Sequence, residues 1–116
     1  MPERRSVITG LGLVTPAGIG VEEFGAALME GRPGVREISL FDASGFPCRV
    51  AGDLPDFSAR KYVPKSYRKS VKVMARDIEI AVAAADLAFR DAGLATRGVE
   101  EGEPVEFKRL GCNIGA

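Results

Sequence analysis

The strongest periodic signal runs from about Ser70 to Ala92, where Val71, Met74, Ile78, Ala81, Ala85 and Phe89 recur at three- and four-residue intervals. A second set, Val73, Ile80, Ala84 and Leu87, widens that stripe, so the segment predicts a helix covered on more than one side, stopped by Gly93. Val21, Phe24 and Leu28 predict a shorter helix, with Glu22 and Glu23 in its first turn and Gly31 as a left-handed stop after Glu30. Ser6 to Gly10 carries adjacent β-branched residues before a glycine-rich turn and predicts a short buried strand. Gly10 to Gly20, with four glycines and Pro16, predicts an irregular loop. Between Arg32 and Asp56 only two short strands fit, near Val35–Ile38 and Cys48–Ala51, with a turn at Asp42-Ala43-Ser44-Gly45. An acidic loop covers Glu100 to Glu106, and Arg109 onward reads as a strand whose apolar pattern has not ended at Ala116. That last feature suggests a piece of a longer protein.

Charge changes this picture locally. Lys and Arg together number 16, as do Asp and Glu, so no net charge drives attraction to nucleic acid or anionic lipid. Yet Phe57 to Arg76 holds seven basic residues and no acid: Arg60, Lys61, Lys65, Arg68, Lys69, Lys72 and Arg76. Lys65, Arg68, Lys69 and Lys72 follow helical spacing and predict one basic surface, either a solvated face or a docking patch for an acidic partner. Aromatic interleaving is limited to Tyr62 and Tyr67, which argues against nucleic acid.

With 116 residues, the length fits one domain over 1–116 and no second. No apolar run approaches the ~18 residues of a membrane span, and no export signal opens the chain, so a cytoplasmic protein is expected. There is no histidine, which removes Ser-His-Asp and Cys-His catalysis from this stretch acting alone. With only Cys48 and Cys112 as thiols, no metal site and no disulfide framework are expected. The neighbours of Cys112 suggest a buried strand position, where cysteine packs as a small hydrophobe; Cys48 is read the same way. Thr9-Gly10-Leu11-Gly12-Leu13-Val14-Thr15 imitates a dinucleotide-binding turn, but Thr15 stands at the third small position and the helix is delayed to Val21. A structural turn is the better reading, and no cofactor is expected.

Taken in order, the motifs resemble a family. Arg4-Arg5-Ser6-Val7-Ile8-Thr9-Gly10-Leu11-Gly12-Leu13-Val14-Thr15-Pro16-Ala17-Gly18 is similar to the opening of the β-ketoacyl-[acyl-carrier-protein] synthases, with its TGxGxxTPxG. Gly31-Arg32-Pro33-Gly34-Val35, Phe41-Asp42-Ala43-Ser44-Gly45-Phe46-Pro47, Asp91-Ala92-Gly93-Leu94 and Arg109 through Gly115 resemble successive family motifs. The resemblance covers essentially the whole chain, although Lys65 to Asp77 departs from the usual family wording. It implies an α/β class: the N-terminal part of a thiolase-like fold, a mixed β-sheet with covering helices, here incomplete. The whole enzyme is then expected as a homodimer. A cysteine would accept an acyl chain, and the carbanion left by malonyl-carrier decarboxylation would attack it, with two histidines assisting in fatty acid or polyketide synthesis.

None of those catalytic groups falls in this chain, so its catalytic set is empty and the piece alone is expected to be inactive. By the same resemblance, Lys65, Arg68 and Lys69 occupy the stretch that faces the acidic acyl carrier protein. The alternatives are a catalytically silent partner subunit, a non-enzymatic module that binds an acidic protein through the basic helix, and a nucleotide-binding oxidoreductase. An incomplete scaffold is also expected to self-associate, to be partly disordered or to be poorly soluble on its own.

Overall fold

The computed structural model describes residues 2–115. The first paired element is a tight hairpin, β1 (Val14–Thr15) against β2 (Gly18–Ile19), in antiparallel register with Val14 opposite Ile19. The Gly10–Gly20 stretch is thus ordered around a turn. Thr15 Oγ1 both donates to the Gly18 carbonyl at 2.8 Å and accepts from Gly18 N–H at 3.1 Å.

Helix α1 (Val21–Glu30) follows at once, with the Glu23 carboxylate accepting from Ile19 N–H at 2.8 Å. Gly31 closes it at φ 67°, a conformation that glycine adopts without a Cβ penalty, and Arg32 N–H reaches back to the Ala27 carbonyl at 2.9 Å. Helix and stop agree with the sequence expectation. The stripe is less buried than its spacing suggests: Ala27 is enclosed, whereas Val21 and Leu28 stay exposed.

A second ribbon pairs β3 (Arg36–Glu37) with β4 (Val50–Ala51), antiparallel with Arg36 opposite Ala51, within the two strand regions expected. It lies on the hairpin turn, where Arg36 Nη2 donates to the Pro16 carbonyl at 3.1 Å. The Asp42 turn forms as expected, Ser44 N–H donating to Asp42 Oδ1 at 3.0 Å, and Phe41 meets Phe46 edge-on at 5.9 Å.

Helix α2 spans Arg76–Asp91, six residues shorter at its start than the hydrophobic periodicity predicts. The missing part is a 3₁₀ turn, Ser70–Val73, followed by Met74 and Ala75 in extended conformation. Tertiary contacts set this boundary. Ala75 has no capping side chain, and the first turn is instead anchored to the preceding segment. Arg76 donates to the carbonyls of Phe57 at 2.7 Å and Leu54 at 3.3 Å, while Glu79 accepts from Ala59 N–H at 3.0 Å. A cation is the wrong sign for a helix N-terminus, and the two carbonyls, with the Phe57 ring 5.6 Å away, hold Arg76 there. Asp77 and Glu79 restore the favourable sign in that turn.

Two expected strands do not form. Ser6 to Gly10 has no pairing partner among the described residues, and Val7 and Ile8 are about four-fifths exposed. From Arg109 a 3₁₀ turn, Phe107–Arg109, stands where the second strand was expected to begin, and residues 110–115 have no pairing partner among the described residues. A strand is stabilised by its neighbours, and neither segment finds one here. The enclosed residues are mostly small, Ala27, Ala43, Ala59 and Ala83, with Phe57, Val71 and Val99. The accessible surface is 9440 Å², against about 6,100 Å² for a compact monomer of this mass. The radius of gyration is 17.2 Å, where about 13 Å suits a closed domain of this length. The described residues therefore form a scaffold whose core is not closed.

Candidate functional site

The glycine-rich loop is built for contact with a helix. Gly10 and Gly12 lie flat against the last turns of α2: a Cβ on Gly10 would strike the Ala88 carbonyl, and one on Gly12 the Ala84 carbonyl. Between them, Leu11 N–H donates to Asp91 Oδ2 at 2.8 Å. A dinucleotide turn instead aims its backbone at a helix N-terminus. Here the loop meets a helix flank, and α1 begins only after the intervening hairpin. The residue spacing showed the need for glycine; its partner, some 75 residues away, was not readable from it.

The second candidate is the basic segment. The predicted α-helical face over Lys65, Arg68, Lys69 and Lys72 is replaced by successive 3₁₀ turns, Ala59–Lys61, Lys65–Tyr67 and Ser70–Val73. Pro64, at φ −57° and ψ 154°, opens the middle turn. The four basic residues are thus spread over successive short turns and their caps, not along one α-helical face. All four are exposed, and none makes an ion pair among the described residues. Like charges left unpaired in this way keep their long-range field outside the protein.

Sequence reasoning missed what lies beside them. Tyr62, Pro64 and Tyr67 from the basic segment, Met74 from the extended link, and Val82 and Phe89 from α2 line an apolar cleft of about 360 Å³. Its acidic member, Asp86, accepts from Arg90 Nε at 2.8 Å, and that hydrogen bond raises the Arg90 pKa further. The available signal was the pair Tyr62 and Tyr67, two aromatics inside an otherwise polar basic run.

The cysteines correct the sequence reading. Cys48 and Cys112 are both exposed thiols, neither packed in a core. Cys112 lies on the unpaired chain after Leu110, so the enclosure that a sheet would supply is missing, and Cys48 Sγ donates weakly to the Val50 carbonyl at 3.5 Å. No histidine exists to act as base. Among the described residues no group of His, Cys, Asp and Glu could hold a metal, and no helix is long and apolar enough to cross a membrane.

The described residues, two ribbons and two α-helices joined through a glycine loop, match a known domain. Residues 3–116 match the β-ketoacyl synthase N-terminal domain, and the chain belongs to that family. It is 42% identical over 91 residues to the granaticin polyketide putative beta-ketoacyl synthase 2 of Streptomyces violaceoruber, covering 78% of this chain and 21% of that protein. Over 94 residues it is 40% identical to the 3-oxoacyl-[acyl-carrier-protein] synthase 2 of Synechocystis, covering 81% of this chain and 22% of the relative. Among solved structures it is similar to the ishigamide ketosynthase/chain length factor, at a TM-score of 0.62 and 40% identity, over 77% of this chain and 21% of that one. The chain thus spans about a fifth of the length of these relatives. The fold is the thiolase-like one expected, in part.

Proposed function

We propose that this chain is the N-terminal portion of a condensing enzyme that joins an acyl thioester to malonyl-carrier protein in fatty acid or polyketide synthesis. Family membership carries this reading. The chemistry needs a thiolate, a base and donors for the enolate oxygen, and this chain has no histidine to act as the base. The reactive groups belong to the part of the enzyme that these residues do not match, and the N-terminal portion supplies framework and docking. The remainder of the same enzyme is its first partner, and a homodimer its assembled state. Radiolabelled acyl transfer to the isolated chain should leave both cysteines unlabelled; stoichiometric labelling of Cys112 overturns this division of roles.

Docking is assigned to Lys65, Arg68 and Lys69, facing the acidic acyl carrier protein. Their exposure and lack of ion pairs support it. Exposed charges at a rim mainly speed encounter and fix orientation, which suits a carrier that must arrive and leave. Reversing all three to Glu in the complete enzyme should raise the KM for the carrier-bound substrate about tenfold or more at low ionic strength, and the difference should shrink as salt rises. An unchanged KM at low salt rejects the docking role. The solved neighbour is a ketosynthase/chain length factor, which supports a second reading, a partner subunit without its own nucleophile. A cysteine-bearing nucleophile turn and two histidines downstream decide for the enzyme.

A further inference from the structure

Between the basic turns and α2 stands a cleft of about 360 Å³, with Tyr62, Pro64 and Tyr67 on one wall and Val82 and Phe89 on the other. A cavity of about 150 Å³ already holds a benzene ring, so this one has room for an aromatic side chain. Asp86 also lines it. The Asp86 side chain is only 9% accessible, its Oδ2 is taken by Arg90, and its other carboxylate oxygen has no hydrogen-bond partner among the described residues. A largely buried oxygen in that state calls for a donor. A cationic ligand would have to pass a rim that carries positive charge only, from Phe57 to Arg76. The chain has a donor of its own at the same cleft: Tyr67, whose side chain forms part of the wall while the residue is still 47% exposed.

The backbone that carries Tyr67 is held as a separate piece. Lys65–Val73 is built of two 3₁₀ turns, flanked by extended residues: Pro64 at ψ 154° on one side, Met74 and Ala75 at ψ 136° and 160° on the other. Its backbone hydrogen bonds run along the segment itself, to carbonyls three residues back, and none reaches another element among the described residues. Of its side chains only Val71 is buried. One packed side chain and purely local bonds put such a segment at the low end of local stability, and extended residues at its ends can absorb a rotation. The base stays fixed, because Arg76 and Glu79 tie the start of α2 to Leu54, Phe57 and Ala59. We infer that Lys65–Val73 is a strap that pivots on Val71 between two positions. The open one is described above; in the closed one Tyr67 fills the cleft and its hydroxyl donates to the free Asp86 oxygen. Closure removes an exposed ring from water and satisfies the carboxylate in one movement. The strap carries Lys65 and Arg68 with it, so its position sets where those charges stand, and the docking assignment itself does not depend on it.

The test is fluorine NMR of the complete protein carrying meta-fluorotyrosine in place of Tyr67 alone. Two environments in exchange are expected. Ala85→Leu, which fills the cleft from α2, should leave only the open one. Replacing Tyr67 with para-fluorophenylalanine removes the hydroxyl and should cut the ratio of closed to open about tenfold, the worth of a hydrogen bond to a charged oxygen. Three results overturn the inference: a single environment that Ala85→Leu leaves unmoved, which means that Tyr67 never enters the cleft; a single environment that Ala85→Leu displaces, which means that it never leaves; or two environments whose ratio ignores either the filled cleft or the lost hydroxyl.

Discussion

Gly12 offers a measurable consequence of the loop–helix contact. In Gly12→Ala the new Cβ would strike the Ala84 carbonyl oxygen and lie 2.5 Å from Ala88 N and 3.0 Å from Ala84 C. Carbon normally keeps about 3.5–4.0 Å from such atoms, so the loop must retreat by about 1 Å. The helix cannot give way instead, because the atoms struck are its own backbone. The same retreat stretches the 2.8 Å bond from Leu11 N–H to Asp91 past the limit of a hydrogen bond. Overpacking of this kind costs about 1–3 kcal/mol, and an exposed hydrogen bond adds about 1 kcal/mol, so the expected loss is about 2–4 kcal/mol. Urea denaturation of the complete protein, followed by circular dichroism, measures it. In an Asp91→Ala background the bond is already gone, and Gly12→Ala should cost about 1 kcal/mol less there. Gly45→Ala, where a Cβ meets nothing within 4 Å, serves as the control and should change stability by less than about 0.5 kcal/mol. A Gly12→Ala loss as small as the control refutes the reasoning.

Gly31→Ala places a Cβ at φ 67° and should destabilise by about 1 kcal/mol, read as a fall in Tm. Arg76→Met keeps the stem over Phe57 but strips the Phe57 carbonyl of its Arg76 donor and leaves the Leu54 carbonyl with Phe57 N–H alone, so it should cost about 1–2 kcal/mol and speed amide exchange at the start of α2. The Asp42 carboxyl is held below the ordinary aspartate range, first by Ser44 N–H and then by the Ser44 hydroxyl. Because the folded-state pKa is depressed, its contribution to the turn is present above the unfolded pKa and is lost as pH falls through the folded one. An NMR titration should show this depression, and Ser44→Ala should relieve it in part, the backbone donor remaining.

The local elements were legible where local chemistry decides them. A glycine stop and an acidic first turn marked α1, Gly and Pro punctuation bounded the second ribbon, and Asp42 with Ser44 and Gly45 marked the turn. The start of α2 was not, because Arg76 and Glu79 hold it by reaching back across some 20 residues, and periodicity cannot register such a bond. Ser6 to Gly10 and the residues around Cys112 carry strand composition, yet composition does not supply the neighbouring strand that pairing requires. At the candidate site, the positive charges of Lys65, Arg68 and Lys69 were readable one by one. Their spacing did not show that the segment breaks into 3₁₀ turns, and the cleft at Tyr67 exists only because Met74 and Phe89 are brought alongside from later in the chain.

Helix α2 is gripped at both ends: Arg76 and Glu79 clasp the segment that leads into the basic turns, and Ala84, Ala88 and Asp91 seat the glycine loop. Sixteen residues at 1.5 Å each make it a rod of about 24 Å, with those grips spread along it. The glycine loop and the Leu54–Ala59 segment thus share one support, and their relative placement is set by a single helix rather than by the chain that runs between them.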